Sequence, residues 1–174
     1  RENFAYVPQK LFLLEGSLRE NIIFGSSELI NSEDRLTKVL LASMAKTFIE
    51  NLSDGIHSLV SDSNLSLSGG QKQTIGLARA MYHGGKILVL DEATSSVDTE
   101  TESKIQEALE RLVQGRTVFA IAHRLSTLKY SNRLLILDHG KIEEFGTHDE
   151  LLAMDGIYAG LCQKQTELSQ IRAV

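Results

Sequence analysis

The sequence predicts an α/β domain with a parallel-sheet core and a helical subdomain inserted between two of its strands. Three observations lead there. Short runs that are apolar on both faces, FAYV (4–7), ILVL (87–90) and TVFAIA (117–122), suit parallel strands buried under helices. Between the second and third runs lies DTETESKIQEALERLVQG, in which Ile105, Ala108, Leu109, Leu112 and Val113 share one helical face. Strand, helix and strand then form a βαβ unit, whose crossover is expected to be right-handed. The stretch between the first two runs is long, mostly helical in pattern and too large for a loop.

Each element has a local reason. Pro8 ends the first strand. Ser17 and Glu20 cap SLRENIIFG. Leu36, Val39, Leu40, Met44 and Phe48 predict one helix from about Glu33 to Leu52, stopped by Asp54 and Gly55. SDSNLSL reads as a polar loop. Ser68 then fits an N-cap and Gln71 the reciprocal position of a capping box, which makes Gly69 and Gly70 the first helical residues. Thr99 and Glu102 fit a further capping box, with Gly115 as the stop. RLLILD and KIEEFG flank His139 and Gly140 and read as a hairpin. Thr147 and Glu150 cap another helix, and 157–170 predicts a C-terminal one.

Composition narrows the function. The 174 residues are 42% hydrophobic and 24% charged, enough for one domain with a real core. A net charge of −5 argues against a broad nucleic-acid surface. The single cysteine, Cys162, excludes an internal disulfide and a cysteine zinc site, and reads as a buried or half-buried helix residue. The longest uninterrupted apolar run is five residues, Val118 to Ala122, against about 20 for a membrane-spanning helix. The chain opens at RENFAYVPQ without Met or a signal peptide, and is expected to be a piece of something longer.

Gln9, the pair Asp91 and Glu92, and His123 each follow an apolar strand at its C-terminal end, the edge at which open α/β sheets bind ligands. Asp91 is a hard oxygen ligand suited to Mg²⁺, directly or through water. Glu92 suits a carboxylate that polarises water for in-line attack. His123 suits a hydrogen bond to phosphate, and Gln9 a reach to metal or water. Each has a plainer reading when taken alone: a turn cap, a satisfied histidine, a solvated glutamine. Ser68, Gly69, Gly70 and Gln71 read either as a helix start whose free N–H groups take a phosphate or as a flexible joint. Arg79 and Lys72 on that helix either steer phosphate or, for Lys72, lie on a solvated face. Asp98 suits a cap of the next helix.

Together these motifs resemble the ATP-binding cassette ATPases. LSGGQ (67–71), ILVLDE (87–92), SSVD (95–98) and AHRLST (122–127) stand in that family's order, and YVPQ (6–9) is similar to its Q-loop. The stretches LFLLEGSLREN, DEATSSVD and AHRLST resemble the exporter branch. The resemblance implies a P-loop NTPase-like fold, N-terminally truncated, with 14–82 as the helical subdomain and 1–13 and 83–174 in the α/β core. It implies that Gln9 touches Mg²⁺ and couples to a transmembrane domain, and that Ser68, Gly69, Gly70 and Gln71 hold the γ-phosphate of an ATP seated on a second ATPase domain. Asp91 would bind Mg²⁺, Glu92 would act as catalytic base, Asp98 would sit at the dimer interface, and His123 would be the switch histidine. The expected partners are a second ATPase domain and a transmembrane domain, with no nucleic acid, at the cytoplasmic face of a membrane.

Two features depart from the pattern. The 174 residues contain no G-x-x-x-x-G-K-[ST] run, so the chain is expected to be a fragment that begins at the Q-loop and lacks the upstream phosphate loop. Ser61, Asp62, Ser63 and Asn64 stand where exporters carry Gly-Glu-Arg-Gly, which bears on communication with the transmembrane domain. Thr74 replaces an arginine and reads as neutral. The expected function is ATP hydrolysis coupled to export. The alternatives are a soluble cassette ATPase without a membrane domain and a fragment inactive by itself.

Overall fold

The computed structural model describes residues 3–25, 32–61, 66–91, 99–121 and 131–172. It is a mixed α/β fold with a parallel core sheet and helical insertions. The chain divides into two units, Arg1–Ile121 and Ala122–Val174.

In the first unit, β1 (Phe4–Val7), β4 (Ile87–Asp91) and β5 (Thr117–Ile121) form a parallel sheet in the order β1-β4-β5. Helices α4 (Gly69–His83) and α5 (Thr99–Val113) cover one face of it. Ala5, Val7, Leu88 and Leu90 point into this layer and pack with Leu77, Ala80, Ile105, Ala108, Leu109 and Leu112. The other face is open: Phe4, Tyr6, Phe119 and Ile121 are each more than half exposed. α5 starts at Thr99, so Thr99 is already helical rather than the cap, and Gly115 (φ 70°) provides the left-handed turn after the helix.

The insertion carries β2 (Gly16–Ser17), α1 (Leu18–Ile23), α2 (Glu33–Ala42), α3 (Lys46–Ile49), a 3-10 turn at Gly55–His57 and β3 (Leu59–Val60). Strands β2 and β3 pair antiparallel, a ribbon the sequence pattern did not mark. The expected helix over 33–52 breaks at Met44, whose φ is 62°. Ser43 is the cause: its hydroxyl donates to the Leu40 carbonyl (3.4 Å) and accepts from the Ala45 N–H (3.4 Å), competing with the helical ladder. The break lets Ala45 and Ile49 join Leu36 and Val39 in a second core with Leu18, Ile22, Ile75, Ala78 and Tyr82. α4 therefore contributes to both cores, which is why it is buried almost all round.

In the second unit, β6 (Leu134–Asp138) and β7 (Lys141–Gly146) form the expected hairpin. His139 (φ 45°) and Gly140 (φ 75°) both take left-handed dihedrals, as a tight hairpin turn requires. A bulge past Ile136 accompanies the turning of Glu144 inward. Its carboxylate accepts the N–H groups of Ile157 (2.5 Å) and Tyr158 (3.1 Å), which open α7 (Ile157–Arg172). That pairing satisfies a buried charge at a helix N-terminus. α6 (His148–Ala153) carries the Thr147 and Glu150 capping box. Cys162 is half-buried on α7 against the Leu134, Leu151 and Tyr158 cluster, as expected of a structural cysteine.

Candidate functional site

The parallel register puts the sheet's C-terminal ends on one rim, with Val7 beside Leu90 and Asp91 beside Ile121. Gln9 lies two residues beyond β1, and Asp91 is the last residue of β4. Glu92, Asp98 and His123 lie outside the described residues, as does Asp62. The Tyr6 hydroxyl donates to Asp91 Oδ2 at 3.2 Å. Loss of hydration, then the hydrogen bond and charge of Asp91, push the Tyr6 phenol above its ordinary pKa, so it stays protonated as the donor.

The start of α4 is built as its sequence predicts. Ser68 Oγ accepts the Gln71 N–H (3.2 Å), and Gln71 Oε1 accepts the Ser68 N–H (2.9 Å). Gly69 and Gly70 are the first helical residues, whose N–H groups have no acceptor within the helix. The two glycines differ in their surroundings. Gly69 is exposed, whereas Gly70 is buried and its carbonyl accepts the Thr74 hydroxyl at 3.0 Å. Thr74 is itself buried, so the position read as neutral belongs to the helix's packed side.

Gln9 and Gly69 meet in one cavity of about 430 Å³, whose lining includes Lys10, Lys72, Gln73 and Gly76 and, among the described residues, no carboxylate. Lys72 and Lys10 are both exposed, and they stand on this wall beside the positive end of the α4 dipole.

Arg79 has a different role from steering phosphate. Its Nε donates to the Asn21 carbonyl (2.8 Å) and its Nη1 to the Phe12 carbonyl (3.1 Å), and the guanidinium lies 5.4 Å from the Phe24 ring centre. Burial lowers its pKa, and the carbonyl acceptors account for a half-buried charge. Asn21, fully buried, donates to the carbonyls of Leu14 and Ser17 (3.0 Å each) and accepts the Leu14 N–H (2.8 Å). Asn21 and Arg79 thus clamp the segment that follows Gln9. Nothing at position 79 marks Arg79's part in the sequence, because its carbonyl partners lie 58 and 67 positions away.

Among the described residues no group of three His, Cys, Asp or Glu side chains could hold a metal. A cation that takes one carboxylate and keeps phosphate and water ligands is the kind Asp91 fits, and Mg²⁺ is such a cation.

A family model described as ABC transporter matches residues 1–95. The chain belongs to the ABC transporter family. It is 43% identical over 162 residues to an ATP-dependent lipid A-core flippase of Cupriavidus pinatubonensis, covering 92% of this chain and 28% of the flippase. It is 46% identical over 165 residues to an uncharacterized ABC transporter ATP-binding protein, YknV, of Bacillus subtilis, covering 95% of this chain and 27% of YknV. Among solved structures it resembles a bacterial Atm1-family ABC exporter with ATP bound, with a TM-score of 0.84 and 35% identity over 95% of this chain and 28% of the exporter. The chain spans about 28% of the length of the flippases it matches. These findings correct one expectation. The ABC transporter model matches residues 1–95, more than half of the chain, and the exporter likeness covers 95% of it. The chain is accordingly a nucleotide-binding domain of this family, and its description as a Q-loop fragment lacking the phosphate loop is set aside.

Proposed function

We propose that this domain, on a P-loop NTPase-like core, binds and hydrolyses ATP to drive export across a membrane. The observation that carries the reading is the meeting of Gln9 with the glycine-started helix α4 in one cavity that also carries Lys10 and Lys72, at the end of a sheet whose β4 ends in Asp91. The ABC transporter match and the likeness to an ATP-bound exporter support it.

In this reading, residues 14–82 form the helical subdomain, and 1–13 with 83–174 belong to the α/β core. Asp91 would hold Mg²⁺, and Gln9 would reach the same ion with its amide. Mg²⁺ when bound would neutralise charge on the β- and γ-phosphates. Glu92 orients the attacking water and takes its proton. His123 donates a hydrogen bond to the γ-phosphate. Ser68, Gly69, Gly70 and Gln71 grip the γ-phosphate of an ATP seated mainly on a second ATPase domain, and Asp98 lies where the two domains meet. None of the described helices is long and apolar enough to cross a membrane. The path would therefore be supplied by a transmembrane domain, with this domain at the cytoplasmic face. Gln9 and the 61–64 segment would face that partner.

The test is Glu92→Gln in the transporter that carries this domain. Hydrolysis falls at least about 100-fold, while ATP affinity stays within a few-fold of the unmodified protein. Activity within a few-fold of the parent would remove Glu92 from the base role.

A further inference from the structure

Tyr6 is the residue whose position the motifs leave unexplained. It stands on the sheet face that α4 and α5 leave uncovered, next to Phe4 and opposite Val89. Side chains alternate along a strand, so Val89 and Asp91 share that face. Tyr6 is therefore the diagonal neighbour of Asp91 across the β1 and β4 pair, a separation that an aromatic side chain spans. The register dictates the contact, and the Tyr6 hydroxyl makes it at 3.2 Å to Oδ2. On the opposite side Asp91 pairs in register with Ile121, whose side chain has no polar atom to offer. One oxygen of Asp91 is thus tied to a neighbouring strand, and among the described residues no hydrogen bond takes up Oδ1.

We infer that Tyr6 is a positioning residue for the divalent cation: its hydroxyl fixes the Asp91 carboxylate so that Oδ1 is presented to Mg²⁺ or its water. The inference rests on the reading of Asp91 as the cation's carboxylate. Ligating carboxylates held by a hydrogen bond from the protein bind metal more tightly than free ones, because the orientation is settled before binding. Tyr6 is 53% exposed, so removing its hydroxyl leaves the packed side of the sheet untouched.

The experiment compares Tyr6→Phe and Asp91→Asn with the unmodified transporter. Mn²⁺ is titrated by electron paramagnetic resonance in the presence of a saturating non-hydrolysable ATP analogue. Nucleotide affinity is measured separately in EDTA. Tyr6→Phe is expected to weaken Mn²⁺ binding about 10-fold and to leave the affinity in EDTA unchanged. The Mg²⁺ concentration for half-maximal ATP hydrolysis should rise by the same factor. Asp91→Asn should weaken Mn²⁺ binding more than Tyr6→Phe does. If Asp91→Asn loses Mn²⁺ while Tyr6→Phe binds it as the parent does, the positioning role is wrong and the reading of Asp91 survives. Unchanged Mn²⁺ binding in Asp91→Asn overturns both.

Discussion

Replacing Asn21 with alanine tests the clamp behind the Q-loop. Asn21 is fully buried and its amide makes both of Leu14's backbone hydrogen bonds, accepting the N–H at 2.8 Å and donating to the carbonyl at 3.0 Å. Alanine takes both partners from Leu14 at once. Arg79 is not orphaned, because it keeps the carbonyls of Asn21 and Phe12. Each buried group left without a partner costs about 1–3 kcal/mol, and Leu14 is half-buried, so water offsets part of the loss. The expected destabilisation is about 2–4 kcal/mol. The assay is equilibrium urea unfolding followed by circular dichroism, with a lower midpoint and an unchanged slope. Asn21→Asp separates the parts of the interaction. It keeps the acceptor for the Leu14 N–H and for Arg79 Nη2, which lies 3.4 Å from Oδ1, and loses the donor. It should be less stable than the parent, because a carboxylate oxygen would then face the Leu14 and Ser17 carbonyls in place of the donor. An alanine variant within about 0.5 kcal/mol of the parent, or an aspartate variant as stable as the parent, would refute the clamp.

Two further outcomes follow from backbone geometry and from the capping boxes. A Cβ on Gly85 would lie 2.6 Å from the Phe4 carbonyl carbon and 2.7 Å from the Ala5 nitrogen, both backbone atoms that cannot yield without parting β1 from β4. Gly85→Ala should cost about 3 kcal/mol or more. Gly84→Ala, where the close atom is the flexible end of Arg35 and φ is 72°, should cost about 1–2 kcal/mol; a milder effect at Gly85 than at Gly84 in urea unfolding would contradict this account. Glu20 and Glu150 have pKa values below the usual carboxylate range, chiefly because each accepts the backbone N–H of its cap residue, Ser17 or Thr147. A folded-state pKa below the unfolded one means that the contribution is present above the unfolded value of 4.5 and is lost as pH falls through the lowered one. The Glu20→Gln and Glu150→Gln double variant should therefore lose less stability than the parent on acidification below about pH 4.5. A steeper acid loss in the variant, read from urea midpoints across that window, would reverse the sign.

The elements that were legible in the sequence are those whose causes lie within one turn of chain. The capping boxes Ser17 with Glu20, Ser68 with Gln71 and Thr147 with Glu150 form where expected. Their donors and acceptors sit three residues apart, and nothing distant competes for them. The strands β1, β4 and β5 were marked by their apolar runs, and the hairpin by its turn residues. The break at Met44 was not legible. The apolar spacing runs straight through it, and the deciding group is the small Ser43 hydroxyl.

The amino-acid order by itself determined the fold class, the parallel strands and the start of α4, because periodicity and local hydrogen bonding are properties of neighbouring residues. Only the tertiary structure decided that Arg79 holds carbonyls 58 and 67 positions away, and that Tyr6 reaches Asp91 across 85. Those contacts exist because strand register and helix packing bring the groups together, and no local pattern encodes a register between strands so far apart in the chain.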